Sequence, residues 1–317
     1  MPPNRVSYFL FTIEFHRFWL RVSCASGTCV PSCCHSMKAR CPSLPDAIPA
    51  LKPGDLNKMF ERIVATAPGN RTLTAEEREQ LASEEIPEYV VTILSRPSDL
   101  PATEVSIVKD RSLPPWVITF DNFLTPEECE KMIELGYKYE YKRSEDVGPL
   151  KFDGSHDAYK SEGRTSENAW CSTRHGCRHE EVPTRIHDRM AKVMGIPPEN
   201  SEDLQILKYE VGQFYKTHHD YIPHQKDRQC GPRILTFFIY LSDVEAGGGT
   251  NFPDLDLTVM PKKGRALLWP SVLDSDPLKI DDRMRHQALP VEKGTKFAVN
   301  GWIHTFDYVG PQERGCN

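Results

Sequence analysis

The sequence predicts an α+β protein, with helices in the N-terminal half feeding a β-rich C-terminal half. Two observations carry this. From Leu204 onward five runs, Leu204–Glu210, Arg233–Leu241, Arg265–Trp269, His286–Val291 and Lys296–His304, read as short strands between Gly- and Pro-bearing turns. No helix of useful length interrupts them, so a closed or double-sheet β architecture is favoured over an alternating α/β sheet. Upstream, apolar residues recur instead at helical spacing.

The elements follow in order. Residues 1–50 carry Cys, Ser and Pro without sustained periodicity and read as a poorly structured, Cys-rich segment. Residues 51–113 read as a helical extension and linker. Leu56, Met59, Phe60, Ile63 and Val64 share one face of a helix over 54–66. Thr74-x-x-Glu77 is a capping box for a second, short helix. Residues 96–115, rich in Pro, Ser and charge, form the linker. The main domain is 114–317. Trp116–Phe120 is a strand candidate. Thr125 then caps a helix whose first turn holds Pro126 and whose box is closed by Glu128. Residues 140–163 are polar, contain Gly148, Gly154 and Gly163, and read as a long mobile loop. A helix over 182–194 places Ile186, Met190 and Val193 on one face and stops at Gly195.

The formal net charge is −6, and no basic surface is concentrated enough to predict a nucleic-acid partner. No apolar run is long enough for a spanning helix. Val6–Ile13 is apolar and follows Arg5, as in a signal peptide, but Glu14, His16, Arg17 and Arg21 interrupt it. A secretory signal and a nonstandard or incomplete N-terminus are both compatible with this. Cys24, Cys29, Cys33, Cys34 and Cys41 fit a disulfide knot, a metal-binding tract or an unstructured segment, since spacing does not fix connectivity. Cys171 and Cys177 are near enough for a local disulfide in an oxidising compartment, or are free thiols. Asn70-Arg71-Thr72 is a glycosylation sequon, relevant only on the secretory route.

The chemistry lies in His218-x-Asp220, His286 and Lys296. On an extended segment positions i and i+2 point to the same side, so His218 and Asp220 can present a nitrogen and an oxygen to one ion. With His286 they make the two-imidazole, one-carboxylate set of non-haem Fe(II) oxygenases, which leaves coordination positions open. His219 should face the other way, and His224 is spaced for a loop. On the last strand, alternation groups Lys296, Ala298, Asn300, Trp302 and His304 on one face and Phe297, Val299 and Ile303 on the other. A polar face of that kind suits a pocket lining better than a plain core. The flanking apolar alternation predicts that Lys296 is buried, and a buried Lys needs an anionic partner. A keto-acid cosubstrate with a distal carboxylate would supply one.

These motifs stand with Arg164-Thr165-Ser166, Tyr209 through Tyr221, Gly247-Gly248-Gly249-Thr250-Asn251-Phe252-Pro253, His286 through Val291 and Trp302-Ile303-His304. In that order, over residues 114–305, they resemble the prolyl 4-hydroxylase family of Fe(II)- and 2-oxoglutarate-dependent dioxygenases, in its collagen-type, plant and algal branch. The resemblance implies a double-stranded β-helix (jelly-roll) core with supporting N-terminal helices. It implies His218, Asp220 and His286 as iron ligands and Lys296 as partner of the distal 2-oxoglutarate carboxylate. It also implies Tyr209 and Thr250 as hydroxyls that hold the cosubstrate, and Arg233 and His304 as residues that handle a peptide. The family often has Gly-Gly-Glu-Thr where this chain has Gly248-Gly249-Thr250; that removes a charge near the pocket but no iron ligand.

The resemblance further implies Fe(II), 2-oxoglutarate and O2 as cofactor and cosubstrates and ascorbate as reductant. Peptidyl proline would become 4-hydroxyproline, with release of succinate and CO2. The partner would be a proline-containing peptide or protein, with residues 140–163 and 221–232 as closing loops. The endoplasmic reticulum or secretory pathway is the expected compartment, with the cytoplasm as the alternative. The rival readings are a hydroxylase of another side chain or small molecule, a non-catalytic binding module, and a His2Asp zinc protein. The Asp274–Asp282 segment is expected to be a solvated loop and not a second metal site. Oligomeric state is left open by the sequence.

Overall fold

Residue 41 and residues 47–97, 113–150 and 156–316 are described by the computed structural model of the protein. Helix α1 (Asp55–Thr66) forms where the helical periodicity lies and buries Leu56, Met59, Phe60 and Ile63. Helix α2 (Ala75–Ser83) starts at the Thr74 capping box and buries no side chain. Strand β1 (Val90–Ser95) pairs antiparallel with β2 (Val117–Asp121), setting Val91 opposite Phe120 and Ile93 opposite Ile118. Helix α3 (Pro126–Lys138) begins at the Thr125 box, in which the Glu128 N–H donates to Thr125 Oγ1 and the Thr125 N–H to Glu128 Oε2. Replacing Thr125 with Ala removes one of these bonds and should cost about 1 kcal/mol, read as a lower urea midpoint at unchanged slope.

Four short strands follow: β3 (Lys142–Arg143), β4 (Asp146–Leu150), β5 (His156–Tyr159) and β6 (Glu167–Cys171). Helix α4 (Glu181–Met194) comes next and ends at Gly195, whose φ of 69° is the left-handed stop the sequence predicts. The β-rich half then runs β7 (Leu204–Tyr209), β8 (Tyr215–His218), β9 (Arg233–Tyr240), β10 (Ala246–Gly247), β11 (Thr250–Phe252) and β12 (Leu257–Val259). It closes with β13 (Ala266–Pro270), β14 (His286–Ala288), β15 (Val291–Lys293) and β16 (Lys296–His304), before a short helix α5 (Val309–Glu313).

These strands make an eight-stranded sheet in the order β1-β2-β13-β9-β16-β7-β6-β3 and a four-stranded sheet in the order β12-β11-β14-β8, with antiparallel pairing throughout. Two small two-stranded sheets, the non-consecutive pair β10–β15 and the β4–β5 hairpin, accompany them. The architecture is the expected double-stranded β-helix. Alternation along the central strands divides the core in two. Phe238 and Tyr240 of β9 and Ala298 of β16 point between the sheets, where they meet Phe252, Val259 and Trp269. Phe237, Ile239, Val299 and Ile303 point the other way, onto the helices. Helix α4 lies so close to β16 that a Cβ on Gly301 would sit 2.5 Å from Met190 Cε.

Several expectations change. Residues 51–97, expected as a helical extension with the start of a linker, lie with the other described residues in one compact unit, Met37–Asn317. Helix α1 packs into the helix-side core, stacking Phe60 on Trp116 at 5.3 Å, and β1 extends the large sheet. Strand β1 escaped the reading although Val90-Val91-Thr92-Ile93 is β-branched. The polar stretch 140–163 contains β3 and the β4–β5 hairpin, with Asp146 opposite Tyr159 and Val147 opposite Ala158. Its outward-facing residues, such as the exposed Tyr159, give it no apolar alternation to read. Cys171 and Cys177 are joined, and Cys41 pairs with Cys316, not with its N-terminal neighbours. Cys129 and Cys230 are buried free thiols. The Asn70 side chain is hydrogen-bonded to the Val91 backbone in both directions. The signal-like run and Cys24, Cys29, Cys33 and Cys34 lie outside the described residues, as does most of the expected linker. No helix among the described residues is long and apolar enough to cross a membrane.

Candidate active site

Strand β14 pairs with β8 so that His286 stands directly opposite His218. Asp220 follows two residues later, just beyond the end of β8. The result is one cluster: His218 Nε2 lies 3.8 Å from Asp220 Oδ1, and His286 Nε2 lies 3.5 Å from Asp220 Oδ2. One ligand atom from each residue falls within 4.8 Å of the others, and no other group among the described residues meets that description. The Asp274–Asp282 segment is committed elsewhere: Asp274 accepts from Asn57, and Asp281 pairs with Arg283.

The imidazoles are preset for ligation. His218 Nδ1 faces the Lys216 carbonyl at 2.9 Å and His286 Nδ1 faces the Met284 carbonyl at 3.0 Å. Donation from each Nδ1–H leaves both Nε2 lone pairs aimed at the shared centre. Burial, with His286 beside it, lowers the His218 pKa to about 3, which keeps it a neutral ligand. Burial pushes the Asp220 carboxyl up, but His286, His218 and Arg233 outweigh it and hold the group well below the usual range. Thr236 Oγ1 donates to Asp220 Oδ2 at 2.6 Å. His219 is excluded from the cluster, as predicted. Its Nε2 lies 2.9 Å from the Asp281 carbonyl, and its Nδ1 accepts from the Tyr221 N–H. The donor set, two imidazoles and one carboxylate converging with their free edges inward, fits Fe(II). Replacing Thr236 with Val should free the Asp220 carboxylate to rotate and weaken metal affinity at least about tenfold, measured by chelator competition.

Lys296 stands opposite Tyr209 in the β16–β7 register and is fully buried. Its Nζ lies 5.1 Å from the Tyr209 ring, 5.3 Å from Phe238 and 5.4 Å from Tyr240. Among the described residues it has no hydrogen-bond partner. Burial alone drops its pKa to about 7. A buried ammonium walled by π faces and lacking an anion matches what the distal carboxylate of a keto acid requires. Tyr209, also buried, and Thr250 line the adjoining cavity, and the Tyr240 hydroxyl donates to Thr250 Oγ1 at 2.7 Å. Gly247 makes the turn before Thr250 with φ 74°; a Cβ there would meet the Pro290 carbonyl at 2.4 Å.

The cavity measures about 440 Å³ and reaches from the metal cluster past Arg233 and Trp302 to Tyr221, Pro223 and His224. Of the two segments expected as closing loops, Glu145, Asp146, Gly148 and Tyr159 of the first and Tyr221 through His224 of the second line the cavity. Arg233 is on its wall, stacked on Trp302 at 3.7 Å, with its guanidinium held by both Glu202 oxygens at 2.6 and 3.0 Å. His304 differs from expectation. It is fully buried behind Arg233, with Nε2 2.7 Å from Glu202 Oε1 and Nδ1 2.7 Å from the Gly231 carbonyl, and it does not line the cavity. Alternation placed it on the pocket face, but β16 has left the cavity by that point. Burial opposes its charge, yet Cys230 and Glu202 raise its pKa to about 9, so it supports Glu202 as a cation.

Sequence reasoning missed Thr236, Glu202, Tyr215 and the role of Arg164. Tyr215 stacks on His218 at 3.7 Å, and Arg164 lies over Tyr215 at 4.6 Å. Arg164 also donates to Gln205 Oε1. Thr236 was legible as an inward position of β9, and Arg164 stood in the Arg164-Thr165-Ser166 motif.

Comparison with known proteins agrees with this geometry. The 2OG-Fe(II) oxygenase superfamily matches residues 204–304. A probable prolyl 4-hydroxylase 8 of Arabidopsis thaliana is 36% identical over 214 residues, which are 61% of this chain and 70% of that protein. The human prolyl 4-hydroxylase subunit alpha-1 is 33% identical over 195 residues, 60% of this chain and 34% of the subunit. Among solved structures, the viral collagen prolyl hydroxylase of Paramecium Bursaria Chlorella virus-1 aligns with a TM-score of 0.47 at 25% identity, over 60% of this chain and 96% of that one. The chain belongs to the prolyl 4-hydroxylase family of 2-oxoglutarate-dependent oxygenases, whose members work with Fe(II), 2-oxoglutarate and O2.

Proposed function

We propose that this protein hydroxylates proline in a peptide to 4-hydroxyproline, releasing succinate and CO2, with His218, Asp220 and His286 holding Fe(II). One observation carries the reading: the three-residue cluster lines one cavity with Tyr209 and Phe238, whose rings face a buried ammonium, Lys296, that has no hydrogen-bond partner among the described residues. Bound Fe(II) supplies the O2 activation that couples decarboxylation of 2-oxoglutarate to hydroxylation of an unactivated carbon. The chain's own groups do the rest. Lys296 pairs with the distal carboxylate, and the Tyr209 and Thr250 hydroxyls orient the cosubstrate. Trp269 and Phe252, packed against His286 at 4.8 and 5.7 Å between centroids, keep water from its buried edge. Arg233, fixed by Glu202 with His304 behind it, offers its remaining guanidinium edge to peptide carbonyls.

A zinc reading would use the same three ligands but leave Lys296 without a function. The disulfides Cys41–Cys316 and Cys171–Cys177 support a secretory-pathway compartment such as the endoplasmic reticulum. Ascorbate is the proposed external reductant that keeps the metal divalent. Incubation with Pro-rich peptides tests the assignment: the peptide should gain one oxygen only when Fe(II), 2-oxoglutarate and O2 are all supplied. Succinate formed with no peptide oxidised would leave an oxygenase acting on another substrate.

A further inference from the structure

Helix α2 holds its place without a core of its own. It has nine residues and buries none of them. Polar contacts tie it down: the Thr74 capping box, the Arg71–Glu77 ion pair at 2.9 Å, and the Glu84–Lys192 ion pair just past its end. A helix this short is marginal in water unless an apolar face packs on something. Where that packing would lie there is a cavity of about 350 Å³, between α2, α1 and α4. Ile63 of α1, Leu81 of α2 and Val193 of α4 line it, with Pro68, Leu73 and Ile86 from the connecting segments. None of its lining residues belongs to the active-site cavity.

Its polar groups have a sign. Tyr89 is 7% exposed and lines the cavity, and its hydroxyl makes no hydrogen bond among the described residues. Burial raises the Tyr89 pKa while Arg62 and Arg189 act against the rise, so both guanidinium groups lie near that hydroxyl. Arg189 is committed to Glu128, which accepts from both of its terminal nitrogens. Arg71 and Lys192 have Glu77 and Glu84. Arg62 is left over. It donates to the Val193 carbonyl at 2.9 Å and has no carboxylate partner among the described residues. We propose that this cavity binds a small monocarboxylate, its apolar body filling the gap under α2 and its carboxylate held by Arg62 and the Tyr89 hydroxyl. A guanidinium offers a carboxylate several N–H donors in one plane, and the phenol adds an O–H to the same group. The volume is in the range of small-molecule pockets. One uncommitted cation matches one carboxylate, and Glu77 at the rim disfavours a second. The site stands apart from the oxygenase reading, since its ligand is neither the peptide nor the keto acid.

Titration calorimetry on the full chain tests this, with hexanoate and phenylacetate as probes. Each should bind with a dissociation constant on the order of 0.1 mM, ordinary for ligands of that size, and should raise the melting temperature as its concentration rises. Hexanamide and phenylacetamide keep the shape without the charge, and acetate keeps the charge without the apolar body. All three should bind at least about tenfold more weakly. Arg62→Gln should weaken hexanoate binding at least about tenfold. Leu81→Trp, which fills the cavity from α2, should abolish it, and both variants should keep the parent's near-ultraviolet circular dichroism. Lys296→Met, which removes the carboxylate anchor of the active site, should leave hexanoate binding unchanged. No saturable binding of either acid would overturn the proposal, as would amides that bind as tightly as the acids. Binding that survives in Arg62→Gln and is lost in Lys296→Met would also overturn it, by placing the acids in the active site.

Discussion

Asp220→Ala loses at least about a thousandfold in turnover, because the metal contributes several kcal/mol of rate enhancement and each 1.4 kcal/mol is tenfold. Asp220 is the only carboxylate of the cluster, and it is buried between the two imidazoles with its position fixed by Thr236. Without it the site keeps only two nitrogen ligands, which hold a divalent cation poorly. The fold is not at risk from the change. The cluster lies in the cavity, and the change removes a buried carboxylate without adding bulk or a new charge. Succinate release and metal content, read on the same preparation by mass analysis, check the result. Turnover close to that of the parent protein, with metal retained, would remove Asp220 from the ligand set.

Lys296→Met gives the second large effect, and it has two signs. Loss of a charge-assisted hydrogen bond worth roughly 1.5–3 kcal/mol raises the KM for 2-oxoglutarate on the order of a hundredfold. The ligand-free protein, in contrast, becomes more stable, since Met fills the same volume among Tyr209, Phe238 and Tyr240 without a buried cation. The pH dependence follows from the depressed pKa. Lys296 falls from the ordinary 10.5 to about 7 in the folded protein. Between those values the unfolded chain binds the proton and the folded chain does not, so the stability of the ligand-free protein rises with pH across that window. Below about 7 the full penalty of a buried ammonium applies. Binding of 2-oxoglutarate requires the charged form, so it takes up a proton, and affinity weakens as pH climbs above 7. Titration calorimetry in buffers of different ionisation enthalpy reads that proton directly, and it should vanish in Lys296→Met.

What could be read from the sequence was whatever local alternation or spacing encodes. The inward face of β16, the exclusion of His219 from the metal set and the Thr125 and Gly195 helix boundaries are of this kind. Each depends on residues within a few positions of one another. Features that depend on register between distant segments could not be read in this way. Glu202 meets Arg233 and His304 only because β7 and β9 both pair with β16 and Glu202 leads into β7. Thr236 reaches Asp220 only once β9 and the end of β8 face each other across the two sheets. Pairing of Cys41 with Cys316 joins residues 275 positions apart. Strand β1 and the β4–β5 hairpin were lost for another reason: β1 is the edge strand of the large sheet and the hairpin is a two-stranded sheet of its own, so neither has the fully buried face that makes the period-two signal strong.

Mass spectrometry under isotopically heavy dioxygen tests the central claim most directly. The protein is incubated with Fe(II), 2-oxoglutarate and a Pro-rich peptide, and both products are analysed. The account predicts one heavy oxygen on the proline ring of the peptide and one in succinate, in equal amounts. Labelled succinate with an unlabelled peptide, or a label on a residue other than proline, would contradict it.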